Sequence, residues 1–448
     1  MLLGAAAVVF VGVGTYAFAT LIRPGTYTNL SNNTSTSTLM TNSFIFIEEQ
    51  KEQFSQSELQ FMANNYHFIT ISKDYANSAY PVTSGLVGYS PAADAAAKSL
   101  VAANPTVKVL PYYNIKFRYL SPNLEYDQPQ FNPDWYLKDQ RTGKPIPFVQ
   151  QGSAKASPAV VGYYVDLSNP DYRKFAENII VSWMNAAPYG GIALDSADPI
   201  GVGTNTAQNN TWVRLIGESK INTWNQGLSQ FLIELKTDLG TKLVMYNGFS
   251  PSQQRVNRNL DNLQYADGAF NEDFCLVKAN GAPQLQSEST MLQDFSIMQT
   301  NSTKVLMEQV NYPAGIDDVT KSRLGRYCYG AFLLGEHPGY DFFKFALRGY
   351  GDNASPSNGN LEDYIQSNPL ELSINFGLPK EQFVLQGDVG YRAFENGYVY
   401  VNLSPTNPES ITLPTVLTLM NGDVAGTEYQ QGSSYTIPPQ DAAFFSTP

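Results

Sequence analysis

Cysteine and histidine are scarce in this chain, and their scarcity excludes several kinds of chemistry. The 448 residues include two cysteines and two histidines. Cys275 and Cys328 are too few for a disulfide scaffold, and the sequence leaves open whether they pair. His67 and His337 form no recognisable zinc spacing with the cysteines. We therefore expect no zinc site, no Ser–His triad and no nucleophilic thiol.

Positive charge is also in short supply. Lysine and arginine number 28 against 40 aspartates and glutamates, which gives a net charge of −12. No basic cluster is long enough to follow a phosphate backbone, so nucleic acid is excluded as a partner. The sequence also lacks a glycine-rich phosphate loop and an acidic loop with calcium or magnesium spacing, so we expect no cofactor and no metal.

The amino-terminal segment has no charged residue over its first twenty or so positions. Residues 2–22 are long and apolar enough to span a bilayer, and they also fit the core of a signal peptide. We therefore predict a signal peptide or transmembrane anchor over 1–23, followed by a Ser/Thr/Asn-rich linker over 24–42. Both alternatives place the remainder outside the cell or at its surface. N-x-[ST] sequons support export and mark candidate glycosylation sites at Asn29, Asn33, Asn209, Asn301 and Asn402.

Strand-like and helix-like segments alternate through the middle of the chain. The strands are continuous apolar runs, which is typical of parallel strands buried on both faces. Eight such units predict an α/β fold, a (β/α)₈ TIM barrel over 43–378, with a doubly wound sheet as the alternative. The predicted strands are 43–48, 67–72, 107–114, 190–195, 242–247, 266–272, 304–310 and 341–345.

The pattern changes near residue 379, where helical periodicity gives way to short alternating strands. The segment 391–404 contains two such strands around Asn396-Gly397, which is a strong hairpin signal. Further short strands follow with turns between them. We predict a small antiparallel β-sandwich over 379–448 that packs against the barrel or binds a glycan.

Polar residues at the carboxyl ends of the predicted barrel strands are the candidates for chemistry, because these ends meet at the working face of such a barrel. The available side chains are carboxylates, amides and aromatics, a set that suits cleavage of glycosidic bonds. Asp195 pairs with either Glu272 or Glu308 as the catalytic carboxylates. Glu48 and Glu49 follow the first strand. The candidates for substrate binding are Tyr112, Asn114, Asp198, Asn247, Glu308 and Asn311.

A series of short motifs occurs in order along the chain: NPDWYLKDQRTGKPI, YYVDLSNPDYRKF, GGIALDSADPI, VMYNGFS, YADGAFNEDF, RYCYGAFLLGEHPGYDFFKF and YRAFENGYVYVN. In their order and spacing, over roughly 105–405, they resemble endo-α-1,4-polygalactosaminidase-like barrels and related glycoside hydrolases. The resemblance implies a retaining-type or related glycoside hydrolase barrel with Asp195 and Glu272 as its carboxylates. Gly190 departs from the aspartate that these barrels often carry at that position. The substrate does not follow from the resemblance.

Two functions remain open at this point. One is an exported or membrane-anchored glycoside hydrolase that acts on a polysaccharide or glycan through paired carboxylates. The other is a catalytically inactive glycan-binding or structural surface glycoprotein on the same scaffold, because fold does not determine function. The sugar, the linkage and the oligomeric state do not follow from the sequence.

Overall fold

The computed structural model describes eleven stretches of the chain. These are residues 44–47, 53–71, 90–119, 131–150, 159–201, 206–249, 260–279, 282–311, 316–346, 374–422 and 425–448. The predicted membrane segment 1–23, the linker 24–42, the sequons at Asn29 and Asn33, and the acids Glu48 and Glu49 lie outside the described residues. Within the described ranges, no helix is both long and apolar enough to cross a bilayer.

A curled sheet of eight parallel strands forms the centre of the molecule. Its order is β1-β2-β3-β7-β8-β9-β12-β13, every neighbouring pair is parallel, and β1 contacts β13. All eight predicted strands are present, and the architecture is a TIM-like α/β fold. The strands are β1 Phe44–Ile47, β2 Phe68–Ile71, β3 Lys108–Asn114, β7 Gly191–Asp195, β8 Leu243–Asn247, β9 Gly268–Asn271, β12 Val305–Asn311 and β13 Asp341–Ala346.

Helices follow most of these strands and cover the outer face of the sheet. Several of these helices start after a polar N-cap residue. At the start of α1, for example, Ser55 forms a capping box with Glu58. The helices are α1 Gln56–Asn65, α2 Pro91–Ala103, α3 Pro170–Ala186, α4 Thr206–Ile216, α5 Glu218–Leu239, α6 Glu288–Thr300 and α7 Asp318–Gly335.

Alternation along the strands separates two apolar layers. Successive side chains of a strand point to opposite faces, so one set faces the inside of the curled sheet and the other faces the helices. The outer set, such as Ile69, Leu194 and Leu306, belongs to the large core beneath the helices. The inner set forms a separate buried cluster of Phe68, Leu110, Ala193, Met245, Phe270, Val305, Met307 and Phe342.

Two antiparallel insertions interrupt the alternation of strands and helices. A three-stranded sheet of order β4-β6-β5 lies between β3 and α3, and a hairpin of β10 and β11 lies between β9 and α6. Neither insertion was predicted from the sequence. Their bounds are β4 Phe117–Tyr119, β5 Pro147–Gln150, β6 Ala159–Tyr164, β10 Leu276–Ala279 and β11 Ala282–Leu285.

The carboxyl-terminal part is antiparallel, as predicted, and β15 and β16 form the expected hairpin, in which Phe394 pairs with Gly397 and the two loop residues are Glu395 and Asn396. A six-stranded sheet has the order β14-β15-β16-β21-β18-β19, and β17 pairs with β20. The strands are β14 Val384–Gln386, β15 Val389–Phe394, β16 Gly397–Asn402, β17 Glu409–Thr412, β18 Leu417–Leu419, β19 Glu428–Tyr429, β20 Ser434–Ile437 and β21 Asp441–Ser446.

The carboxyl-terminal sheet packs directly on α7. A Cβ atom added to Gly330 of α7 would lie 2.7 Å from Cβ of Ala442 and 2.9 Å from Cγ2 of Val401, so glycine allows the close approach. Arg326 of α7 pairs with Asp441 through two hydrogen bonds of 2.8 and 3.0 Å. The buried Arg392 guanidinium donates to carbonyls at the end of α7, including that of Glu336 at 2.7 Å. Packing against the helix layer is therefore a function of this sheet.

Candidate active site

The candidate site lies directly above the inner apolar cluster, at the carboxyl ends of the parallel strands. Since side chains alternate with a period of two, the residue two positions beyond an inner apolar residue faces the same interior space. On seven strands that residue is polar. The pairs are Phe68 and Thr70, Leu110 and Tyr112, Ala193 and Asp195, Met245 and Asn247, Phe270 and Glu272, Met307 and Gln309, and Phe342 and Lys344.

Asp195 is the centre of a hydrogen-bond network that involves both of its carboxylate oxygens. The Tyr112 hydroxyl and the Asn114 Nδ2, at 3.0 Å, donate to Oδ2. The Asn247 Nδ2, at 2.9 Å, and the Ser196 backbone N–H, at 2.7 Å, donate to Oδ1. Ser196 has a φ of 55°, so the chain turns sharply after the strand and brings its N–H back to the carboxylate. Four donors thus fix the orientation of this carboxylate.

Asn114 connects Asp195 to the loop that leads into β4. Its Nδ2 also lies 3.2 Å from the Tyr112 hydroxyl and 3.1 Å from the Ser196 Oγ. Its Oδ1 accepts from the backbone N–H groups of Lys116 and Phe117, each at 3.1 Å. Tyr112 and Asn114 were predicted to bind substrate; the structure gives both a contact with Asp195, and substrate binding by them stays a prediction.

Asn247 links the two predicted catalytic carboxylates. Its Nδ2 donates to Asp195 Oδ1 at 2.9 Å and to Glu272 Oε1 at 2.8 Å, while its Oδ1 accepts from the Gly248 N–H at 2.6 Å. Because both oxygens lie within hydrogen-bond reach of one nitrogen, these two oxygens, one from each carboxyl group, are no more than about 6 Å apart. The sequence therefore identified two carboxylates that the fold brings together.

Glu272 follows the last residue of β9, so its backbone is held by groups outside that strand. The Asn311 Nδ2 donates to the Glu272 carbonyl at 2.7 Å. The Gln309 Nε2 in turn donates to the Asn311 Oδ1 at 2.8 Å. Asn311 was predicted to bind substrate, and the structure shows it supporting the Glu272 main chain instead of one of the carboxylates.

The prediction that Glu308 belongs to the site is wrong. Glu308 lies between the inward-facing Met307 and Gln309, so it points outward towards the helices and is 1% exposed. Its Oε2 accepts from Asn271 Nδ2 at 2.8 Å. Burial raises the pKa of Glu308 to about 8, and the hydrogen bond from Asn271 opposes that shift. Burial, and to a smaller extent the negative charge of Glu308, also raises the pKa of Asp294 on α6.

Asp198 lies in the loop after β7, where it forms an ion pair with Lys116. The Nζ–Oδ1 distance is 2.5 Å, and the Asp198 side chain is partly exposed. Burial and the negative charge of Asp198 raise the pKa of the Tyr164 hydroxyl on β6 to about 12. The ion pair therefore ties the loop that follows Asp195 to the three-stranded insertion. Binding of substrate by Asp198 stays a prediction.

Sequence reasoning missed one buried cation on the same face of the sheet. Lys344 lies two residues beyond the inner Phe342 on β13, and only 5% of its surface is exposed. Because side chains on a strand alternate between its two faces, the predicted strand 341–345 would have indicated that Lys344 faces the same side as Phe342. Among the described residues, no group of three or more His, Cys, Asp or Glu side chains is arranged to hold a metal ion.

The three sequons within the described residues differ in their surroundings. Asn402 is fully buried, and its Nδ2 donates to the carbonyls of Asn407, Ile437 and Pro438. A glycan on this nitrogen would break that network, so the structure contradicts the prediction at Asn402. Asn209 lies on α4, and Asn301 ends α6, both with partly exposed side chains. Glycosylation at these two positions stays a prediction.

A TIM-like fold with paired carboxylates at the carboxyl ends of its strands defines the chain as a glycoside hydrolase of the TIM-barrel class. Residues 102–398, more than half of the chain, match the family described as Hypothetical glycosyl hydrolase family 15, and the chain belongs to that family. The family expected from the sequence, a group of glycoside hydrolase TIM barrels, is therefore confirmed. The family match favours the enzyme over an inactive surface glycoprotein. No curated protein sequence matches the chain.

Solved structures resemble the chain at low sequence identity. Amy13B of Eubacterium rectale is 11% identical with a TM-score of 0.53, and the match covers 92% of this chain and 96% of that one. An α-amylase from Geobacillus thermoleovorans, complexed with acarbose, is 12% identical with a TM-score of 0.51 and coverages of 91% and 98%. The glycoside hydrolase domain of PelA from Pseudomonas aeruginosa is 13% identical with a TM-score of 0.39 and coverages of 67% and 93%.

Proposed function

We propose that this chain hydrolyses glycosidic bonds of a polysaccharide or glycan with retention of configuration, using Asp195 and Glu272. The observation that carries the proposal is the single Asn247 amide nitrogen that donates to both carboxylates. Retaining enzymes need their two carboxyl groups about 5–5.5 Å apart, whereas inverting enzymes leave room for a water at about 6.5–9.5 Å. A shared hydrogen-bond donor fits the shorter range.

The hydrogen bonds support a different proposed role for each carboxylate. Asp195 accepts from four donors, which matches an ionised carboxylate, because that form offers only acceptors. Asp195 is therefore the nucleophile, and Glu272 is the acid and base. In the first step Glu272 donates its proton to the glycosidic oxygen while Asp195 attacks the anomeric carbon. The bond to the leaving sugar breaks, and a glycosyl ester of Asp195 forms.

The second step releases the sugar and restores both carboxyl groups. The Glu272 carboxylate takes a proton from a water molecule, and the oxygen of that water attacks the anomeric carbon. The ester bond to Asp195 breaks, so its carboxylate is regenerated. Asn247 keeps its contact with both residues through the cycle, and Tyr112 and Asn114 hold Asp195 in the orientation that attack requires.

Release of oligosaccharides from a panel of glycans tests the proposal. The panel includes a polymer of α-1,4-linked galactosamine, from the resemblance in the sequence, and α-1,4-glucans, since an α-amylase with bound acarbose shares the fold. Asp195→Asn and Glu272→Gln are expected to lose activity by about 10³-fold or more while remaining folded.

Glu308→Gln is the matched control for the activity assay. It changes a carboxyl group of the neighbouring strand that faces away from the site, so its rate is expected to equal that of the wild type. Absence of products from every glycan, or loss of activity in Glu308→Gln with full activity in Glu272→Gln, would overturn the proposal.

The enzyme is further proposed to work outside the cell or at its surface, with residues 2–22 serving as signal or anchor. The disulfide between Cys275 and Cys328 supports this, because structural disulfides persist mainly in oxidising compartments. The sequons at Asn209 and Asn301 support it as well. Cell fractionation, followed by counting the free thiols of the recovered protein without any reducing agent, would test this location. Recovery of the protein in the cytosol with both thiols free would contradict it.

A further inference from the structure

The position of Glu272 depends on the segment that follows it. β9 ends at Asn271, so Glu272 lies just past the last paired residue of the strand. Three residues later, Cys275 forms a disulfide with Cys328 of α7, and both cysteines are fully buried. The disulfide thus attaches the Glu272 segment to the helix of the next strand–helix unit.

The backbone at Cys275 has a conformation that an ordinary residue seldom adopts. Its φ is 65°, in the left-handed region that favours glycine. A non-glycine residue stays in this region only when its surroundings hold it there. The disulfide is one such restraint, and the Gln286 N–H, which donates to the Cys275 carbonyl at 2.8 Å, is another.

The rest of the segment is also held by neighbours on β12 and α7. The Phe274 N–H donates to the Gln309 carbonyl at 3.1 Å, and its buried ring packs edge-on against Phe332 and Phe343. Asn311 holds the Glu272 carbonyl at 2.7 Å. The disulfide is the covalent member of this set, and it joins the loop to a helix that also carries the carboxyl-terminal sheet.

We propose that the Cys275–Cys328 disulfide positions the Glu272 carboxyl for proton transfer, so that reducing it lowers the catalytic rate while the fold persists. This inference rests on the proposed role of Glu272 as acid and base. A dithiol reductant supplies the two electrons: the Cys275–Cys328 bond breaks, both sulfurs become thiols, and the reductant closes to its own disulfide. Cys275 and Cys328 are positioning residues, because neither touches the reacting atoms.

The experiment compares oxidised and dithiothreitol-reduced enzyme on two substrates that share one sugar. The first is the glycan identified by the activity panel, and the second is an aryl glycoside whose dinitrophenolate leaves without protonation. Mass spectrometry after alkylation counts the thiols, and circular dichroism follows the fold. Reduction is expected to lower kcat on the glycan about tenfold or more, with KM changed less than twofold.

The aryl glycoside separates positioning of the acid from general loosening of the site. Its first chemical step needs no proton from Glu272, so formation of the glycosyl ester is expected to stay within twofold after reduction. The basic limb of the pH–rate profile on the glycan is expected to move, because it follows the Glu272 proton and Glu272 then has different neighbours, while the acidic limb, set by Asp195, is expected to stay. If reduction lowers the rate of glycosyl-ester formation from the aryl glycoside as much as it lowers kcat on the glycan, and the pH profile does not move, the disulfide has a structural role only and the inference is overturned.

Two variants make the test independent of the reductant. The double variant Cys275→Gly and Cys328→Ala removes the disulfide and lets residue 275 keep its left-handed backbone, so it is expected to reproduce the kinetics of the reduced enzyme. Arg326→Gln is the matched control, because Arg326 lies on the same helix as Cys328. It removes the ion pair with Asp441 of β21, away from the site, and should lower Tm without a change in kcat.

The two failures can be told apart. If the oxidised wild type cleaves no glycan, the proposed function fails. If the oxidised enzyme is active and both the reduced enzyme and the double variant keep its kcat, the inference about the disulfide fails while the function stands.

Discussion

At the scale of single residues, Asn247 joins the two carboxylates that we propose as catalytic. It donates one hydrogen bond to each of them and accepts one from the Gly248 N–H, so its amide is fixed at both ends. A fixed donor between two carboxylates limits the distance between them and orients both carboxylates towards the Asn247 amide. No water molecule has to supply that restraint, which makes the geometry ready before substrate arrives.

Asn247→Ala is expected to lower kcat about 10²-fold or more, because both carboxylates lose a donor that holds them. Steady-state kinetics on the identified glycan measure the effect. Asn421→Ala is the control: Asn421 is a buried amide with two backbone hydrogen bonds in the carboxyl-terminal sheet, and its loss should reduce Tm but leave kcat unchanged. Equal kcat in wild type and Asn247→Ala would refute the role given to the bridge.

Glu308 gives a pH dependence of stability that is separate from activity. Its pKa is about 8 in the folded chain and near its ordinary 4.5 when unfolded. Below pH 4.5 both forms carry the proton. Between these values the unfolded chain releases the proton and the folded chain keeps it, so the free energy of unfolding falls as the pH rises, by about 1.4 kcal/mol for each unit of pKa difference.

Glu308→Gln keeps an acceptor for Asn271 and removes this titration. We expect the variant to lose less stability than the wild type between pH 5 and pH 8, as measured by urea unfolding at each pH. Part of the pH dependence should remain, because burial also raises the pKa of Asp294 and Asp341. Identical pH profiles for the two proteins would show that Glu308 is not protonated in the fold.

The sequence predicted Asp195 and Glu272, which the fold brings together, but misplaced Glu308, and the reason is physical. Both catalytic candidates come at strand ends, where an apolar run stops. Glu308 lies inside an apolar run, with Leu306 and Met307 on its amino-terminal side. Strands that are buried on both faces carry no alternation of polar and apolar residues, so the inner face could not be told from the outer one. Only the inner cluster, with Met307 in it, settles which way Glu308 points.

At the scale of helices and strands, the parallel sheet was predictable and its insertions were not. Continuous apolar runs indicated all eight parallel strands, because burial on both faces leaves a strong signal. The strands β4, β5 and β6 are short, and their partners are distant in sequence, so pairing rather than local composition determines them. The insertion nevertheless contributes to the site, since Lys116 at its entry pairs with Asp198.

The helix α7 joins the parallel sheet to the antiparallel one, and Gly330 marks their closest approach. Gly330→Val would place new atoms against Ala442 and Val401, so we expect it to destabilise the chain by about 1–3 kcal/mol. Thermal unfolding measures the change in Tm. Ser322→Val, on an exposed position of the same helix, is the control for valine in a helix. The same Tm for both variants would mean that the interface tolerates the added volume.

At the scale of the whole molecule, the chain combines a TIM-like hydrolase fold with an antiparallel sheet that supports one of its helices. The hairpin between β15 and β16 was predicted correctly, because it rests on local sequence. The disulfide was left open by the sequence and is present in the fold. Its two cysteines are 53 residues apart, and only the packing of β9 beside β12 and α7 brings them together.

The carboxylate pair gives the whole enzyme a stereochemical outcome. If Asp195 forms a glycosyl ester, water enters from the face that the leaving sugar left, and the product keeps the configuration of the substrate. If water attacked directly, the configuration would invert. The two outcomes differ in the first sugar released, before mutarotation mixes the anomers.

Proton NMR of the product during the first minutes of hydrolysis is therefore the most direct measurement of the central claim. The two carboxylates joined by Asn247 predict a first product with the same anomeric configuration as the cleaved bond. A first product of inverted configuration would contradict the assignment of Asp195 as the nucleophile and of Glu272 as the acid and base.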